Sequence, residues 1–133
     1  MANMANITVK ADNGTTDVVF TAVAPAGGDN TEALWSANSI GATKAAHPIF
    51  AMKARWNQKR NAKRVELRGD YPYSITDTTT SVVSVRNHLP FAASFLLPTD
   101  VPDTVVNEMV SVMGNMVVAA LIRSAVKEGT APQ

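Results

Sequence analysis

The sequence predicts an α+β fold: an N-terminal β-hairpin, then an antiparallel β-sheet, then two C-terminal helices. Three observations predict it. Within residues 52–57 and 63–68 polar and apolar side chains alternate, a pattern that only a strand converts into two distinct faces. Near the N-terminus, Asp12-Asn13-Gly14 stands as a turn signal between two short β-favouring runs. Past Pro98 the apolar spacing lengthens to that of a helix.

The elements follow in order. Ile7–Lys10 alternates and is short; Asn13 and Gly14 tolerate positive φ; 17–23 is β-branched and aromatic, so 7–23 reads as a hairpin. Pro25-Ala26-Gly27-Gly28-Asp29-Asn30 is a loop. Residues 31–36, around Trp35, form a short strand, and 37–48 is weakly patterned and irregular. Residues 49–57 and 62–69 are two basic strands joined by Gln58-Lys59-Arg60-Asn61. Residues 70–80 are polar, with Pro72 between Tyr71 and Tyr73 and a Thr78-Thr79-Thr80 run; they read as an exposed connecting loop. A long strand occupies 81–97 and completes a sheet spanning 31–97. Val83, Val85, Phe91, Ala93, Phe95 and Leu97 share one parity, and Ser84, Arg86, His88, Pro90, Ala92 and Ser94 the other. Pro90 removes a ladder donor, so it marks a bulge, an edge or an interruption.

Helices are expected within 100–128. Asp100 and Asp103, with Pro102, suit a helix start. Val105, Val106, Met109, Val110, Val112, Met113, Met116, Val117, Ala120, Leu121 and Val126 follow at helical spacing, and Gly114-Asn115 predicts a break into two helices. Arg123 and Lys127 suit the helix end, and Gly129 can cap it. Glu108 is the only charge between Val105 and Ile122. A helical segment apolar nearly all round must be buried on most sides. One sheet face per chain is too little cover, and a partner subunit is the natural one. Val105, Val106, Met109, Val110, Met113, Val117 and Leu121 are the expected dimer interface.

Length allows one domain, 1–133, and an apolar content of 46% gives it a core rather than disorder. There is no cysteine, which excludes a disulfide scaffold, a thiolate metal site and a cysteine nucleophile. Residues 1–6 lack the basic and apolar regions of a signal peptide, and the longest apolar run, 116–122, is too short to cross a bilayer. A soluble intracellular protein is expected, with no membrane partner. Enzyme signatures are missing: Gly27-Gly28 lacks the later glycine and lysine of a phosphate loop, and no Gly-x-Ser-x-Gly elbow occurs. His47 and His88 have no metal-ligand spacing to another ligand, and Asp12 and Asp17 bracket a turn. No catalytic residue, cofactor or metal is expected.

Charge is the informative remainder. Net charge is only +1, so segregation has to carry any claim about a polyanion. Residues 53–68 hold seven of the twelve Lys and Arg residues and one acid, Glu66. Val65 and Leu67 fall on one face of their strand. The opposite parity gathers Lys53, Arg55, Asn57, Arg64, Glu66 and Arg68, continued by Ser84, Arg86 and His88 on the last strand. Such a cationic face, backed by a core, suits nucleic acid: cations on phosphates, Asn57 and His88 within reach of bases. A solvated sheet surface is the other reading of the same residues.

The order of elements, together with three local phrases, resembles the coat proteins of small single-stranded RNA bacteriophages, the levivirus type. Val9-Lys-Ala-Asp-Asn-Gly-Thr-Thr-Asp-Val18 is similar to that family's first hairpin, Glu32-Ala-Leu-Trp-Ser-Ala-Asn-Ser39 to the following strand, and Phe95-Leu-Leu-Pro98 to the end of the last strand. The resemblance implies an interlocked homodimer with a continuous sheet, each subunit's helices packing on the partner's sheet face. It implies an icosahedral shell with the sheet facing genomic RNA, in a virion assembled in the bacterial host cytoplasm. It makes Tyr71, Pro72, Tyr73, Ser74, Ile75, Thr76, Asp77, Thr78 and Thr79 an inter-dimer loop at the symmetry axes. Two departures stand out. Lys53 and Arg55 replace the Thr and Ser that build an adenine pocket in well-known members, and the stacking tyrosine of the last strand is replaced near Pro90 or His88. The residues also leave open a dimeric cellular nucleic-acid-binding β-domain that does not assemble, and a small enzyme using His88.

Overall fold

The computed structural model describes residues 3–41 and 43–133. Its elements, in chain order, are β1 (Ile7–Lys10), β2 (Asp17–Ala24), β3 (Glu32–Ser36), a 3₁₀ turn (Lys44–Ala46), β4 (Ile49–Trp56), β5 (Ala62–Thr76), β6 (Val83–Pro98), α1 (Asp103–Val117) and α2 (Ala120–Glu128). The strands form one sheet in the order β1-β2-β3-β4-β5-β6, so every spatial neighbour is also a neighbour in sequence. One compact unit runs to Leu96 and a second begins at Leu97. The expected α+β class, with its hairpin, antiparallel sheet and two terminal helices, is what the chain adopts.

The first hairpin pairs Ile7 with Phe20 and Lys10 with Asp17. Its loop is longer than a two-residue turn. The Asn13 carboxamide oxygen accepts from Thr15 and Thr16 N–H at 3.0 and 2.9 Å, and Gly14 takes φ 73°, a left-handed position that favours glycine. β2 and β3 pair with a register shift between Ala22 and Ala24. Residues directly opposite in a ladder share a face. The pairings of β1 to β5 therefore line up Ile7, Val9, Val18, Phe20, Trp35, Phe50, Met52, Trp56, Val65 and Leu67 on one face. Trp35 is its best-buried member: its ring lies 5.7 Å from that of Phe50, and its Nε1–H donates to the Ala5 carbonyl at 2.8 Å. Phe91 of β6 packs over the same side beside Gly69. Much of this face stays open in the single chain; Val9, Met52 and Phe91 are all exposed.

Residues 70–80 depart from the sequence reading. β5 continues through Tyr71-Pro72-Tyr73 to Thr76, and only 77–82 form the connecting loop. Pro72 is buried within the strand. It is tolerated because β4 begins at Ile49, paired with Asp70; past that point β5 has lost its β4 partner and a missing donor breaks no bond to it. The loop is held by Asp77. Its carboxylate accepts from Thr79 and Thr80 N–H at 2.7 and 3.2 Å, and Ser81 adopts φ 58°. Pro90 sits in β6 without ending it, so it does not interrupt the strand, and β6 is the last strand of the sheet, where a missing donor is tolerated.

The helical unit carries a second correction. Pro102 precedes α1 and Asp103 lies in its first turn, but Gly114 and Asn115 remain helical. A glycine inside a helix costs about 1 kcal/mol relative to alanine, which does not suffice to break one. The break falls at Val118 and Ala119, where ψ turns to 143°, and α2 leaves at 54° to α1. Nothing in the sequence marks the site: an adjacent valine pair at Val105 and Val106 stays helical. Gly129 closes α2 at φ 73°, its N–H on the Val126 carbonyl at 3.1 Å and Thr130 N–H on that of Ala125 at 3.2 Å. Neither helix contains a buried residue. Val105, Val110, Met113, Val117 and Leu121 are all exposed, and Val106 and Met109 half-buried. Among the described residues no single helix is long and apolar enough to cross a membrane.

Candidate nucleic-acid interface

The face opposite Trp35 is assembled by register. In the β4–β5 ladder Ala51 stands opposite Arg68, Lys53 opposite Glu66 and Arg55 opposite Arg64. β3 adds Glu32 opposite Lys53. Lys53, Arg55, Arg64, Glu66 and Arg68 thus share one face, as their alternation implies. Lys63 falls on the other side, its Nζ 4.5 Å from the centre of the Trp56 ring.

The face is less one-sided than the sequence suggests, because three carboxylates stand among the cations. Glu66 bridges Lys53 at 3.4 Å and Arg55 at 3.1 Å. Glu32 takes Arg68 in a bidentate pair, Nε and Nη2 each at 2.9 Å from a separate oxygen. Asp70 accepts His88 Nδ1 at 2.7 Å. Hydrogen bonding from Arg68 is the main reason the Glu32 carboxyl lies below the usual carboxylate range, and the same bond raises the Arg68 guanidinium. For Glu66, partial burial works to raise the carboxyl, but the bonds and charges of Lys53 and Arg55 outweigh it and the net direction is down. Among the described residues Arg64 and Arg86 make no ion pair. The direct opposition of Arg64 and Arg55 puts like charges side by side, an arrangement unfavourable until an anion arrives.

Long side chains on β5 beside small ones on β6 leave an open depression of about 440 Å³ on this face. Its rim carries Glu32, Lys53, Arg64, Glu66 and Arg68, and its β6 side is made by Ala92, Ala93 and Ser94.

The remaining expected contacts divide. Asn57 is spent on the β4–β5 turn, its carboxamide oxygen accepting from Asn61 and Ala62 N–H at 3.1 and 3.4 Å. His88 joins the charged face at its Asp70 end. Ser84 and Arg86 lie on the loop side of His88, past the end of β4 and away from Lys53 and Arg55. Of the residues assigned to the inter-dimer loop, Tyr71 to Thr76 belong to β5, with Tyr71 and Tyr73 exposed, and Asp77, Thr78 and Thr79 to the loop itself. Sequence reasoning missed Glu32 and Asp70. Asp70 continues the parity of Arg64, Glu66 and Arg68 and was legible once the strand was extended. Glu32 becomes visible only with the β3–β4 register.

No described group of His, Asp and Glu side chains is placed to hold a metal ion. No family model and no curated protein matches the sequence. Solved structures do match in fold. The virus-like particle of Beihai levi-like virus 21 superposes with TM-score 0.80 at 15% identity over 99% of each chain. The virus-like particle of bacteriophage NT-214 gives 0.77 at 16% identity over 99% of this chain and 100% of that one. An unassembled virus coat protein dimer, a bacteriophage RNA-binding dimer, gives 0.65 at 16% identity over 99% of each. The chain therefore has the fold of the coat proteins of levi-like RNA bacteriophages, and the resemblance carried by its three sequence phrases holds at the level of fold.

Proposed function

We propose that this chain is a capsid protein that dimerises, assembles into an icosahedral shell and binds single-stranded genomic RNA on the charged face of its sheet. The fold shared over nearly the full length with proteins of virus-like particles carries the reading. Two features of the chain support it. Both helices lack any buried residue while presenting Val105, Val110, Met113, Val117 and Leu121. These side chains are about half exposed, so covering the remainder is worth roughly 1 kcal/mol each, which together is a strong drive towards a partner. β6, sixteen residues long and last in the strand order, offers an outer edge along which a second copy can continue the sheet. In that dimer the helices of each subunit cover the partner, and the charged faces of both sheets turn to one side. Its work is geometry and cation–phosphate contact, without catalysis, in the virion.

Electron microscopy of the purified full-length protein tests this reading, combined with analysis of nuclease-protected nucleic acid. Closed shells containing RNA are expected. A homogeneous population of dimers that never forms shells would overturn it in favour of a non-assembling nucleic-acid-binding domain.

A further inference from the structure

We propose that Glu66 acts as an internal competitor of the RNA backbone, holding Lys53 and Arg55 in the free protein and ceding them to phosphate. The inference rests on the RNA-binding reading and asks how the charged face is set. The cations of this face are not equivalent. Arg64 has no ion pair among the described residues. Lys53 and Arg55 share one carboxylate, each through a single contact, at 3.4 and 3.1 Å. Arg68 is gripped by two parallel bonds to Glu32. Exposed single-contact pairs are weak and readily exchanged, whereas bidentate pairs are stronger and geometrically fixed. The face is therefore graded: Arg64 is open to a phosphate at once, Lys53 and Arg55 after Glu66 lets go, and Arg68 is withheld.

Register makes the competition direct. Glu66 lies opposite Lys53, with Arg55 two residues along β4, and Arg55 in turn faces Arg64. An anion seated between Arg55 and Arg64 relieves their repulsion and draws Arg55 from Glu66. In the free protein the carboxylate already serves as counterion to two cations, which lowers the number of solution ions that RNA can release. Glu66 would thus restrain sequence-independent binding while leaving Arg64 able to start it.

The test uses the full-length protein stripped of nucleic acid, with a short oligouridine as probe, across a salt series. Glu66→Gln keeps the shape and removes the charge. Affinity is expected to rise on the order of five-fold, with the log-affinity slope against log salt steeper by about 0.7 for each cation released. Lys53→Gln gives an independent reading: it should weaken binding less than Arg64→Gln does in the wild-type background, and as much as Arg64→Gln once Glu66 is neutral. Equal or weaker binding by Glu66→Gln, in protein whose thermal unfolding matches wild type, overturns the proposal and makes Glu66 a contact to RNA or a structural residue. So does a Lys53→Gln loss as large as that of Arg64→Gln in the wild type. These failures leave RNA binding itself standing; wild-type protein with no salt-dependent affinity for oligouridine would instead sink the RNA reading, and the competitor with it.

Discussion

The cations of the charged face differ in their ion-pair partners, and the partner decides what each cation can do. The shared parity of Lys53, Arg55, Arg64 and Arg68 was readable from alternation alone, since side-chain direction in a strand depends only on position along it. Their partners were not readable, because pairing depends on which residues stand across the ladder. Glu32 is distant from Arg68 in sequence yet takes its whole guanidinium edge. A measurable consequence concerns acid. The Glu32 and Glu66 carboxyls titrate lower in the folded chain than they would unfolded. Groups so depressed stabilise the fold above the unfolded carboxylate range, near about 4.3, and that contribution is lost as pH falls through the folded values. The thermal midpoint should therefore drop as pH is lowered through this region, and Glu32→Gln should flatten the drop. An acid limb identical in wild type and Glu32→Gln would show that the pair contributes nothing.

At the scale of elements, strands and helices were legible wherever one period ran unbroken, and errors arose where residue type and context disagreed. Pro72 and the threonines signalled a loop from residue 70, but Tyr71, Tyr73 and Ile75 keep the alternation, and loss of the β4 partner removes the penalty on proline. Gly114 signalled a break that the helix absorbs, while the real bend at Val118 and Ala119 involves residues that carry no breaker signal. The shortened loop sharpens what can be tested. Residues 77–82, fixed locally by Asp77, join β5 to β6 and take no part in the β1–β5 ladders. Replacing them with an Asn-Gly turn should leave dimers whose stability lies within about 1 kcal/mol of wild type. Particle size or yield should change, as read by microscopy and size-exclusion chromatography. Normal particles in normal yield would remove the loop from assembly.

For the whole molecule, fold class and element order could be read because the change of period after Pro98 divides sheet from helices. That the helices need a cover could also be read, from the nearly unbroken apolar surface of 105–122, whereas the geometry of that cover could not, since one chain does not specify how a second docks on it. Charging that surface tests the occupant. Val117 is 54% exposed in the single chain, so Val117→Asp costs an isolated chain little. In an obligate dimer the same substitution leaves an unpaired buried charge, a loss of roughly 3–5 kcal/mol. Soluble dimer should disappear from sedimentation profiles; a wild-type chain that is folded and stable as a monomer would defeat the dimer outright. The strand order has a kinetic side as well. A sheet whose every pairing joins consecutive strands closes only short loops, so its contact order is low and its formation fast for an all-antiparallel sheet. It can be complete while β6 still has an open edge and the helices lack cover, and a finished sheet in that condition attracts any neighbouring strand. For the proposed dimer, the slow, concentration-dependent step would then be the meeting of two such chains. A high local density of newly made protein would shorten it, which turns the rate of synthesis into a control on whether the chains pair correctly or aggregate.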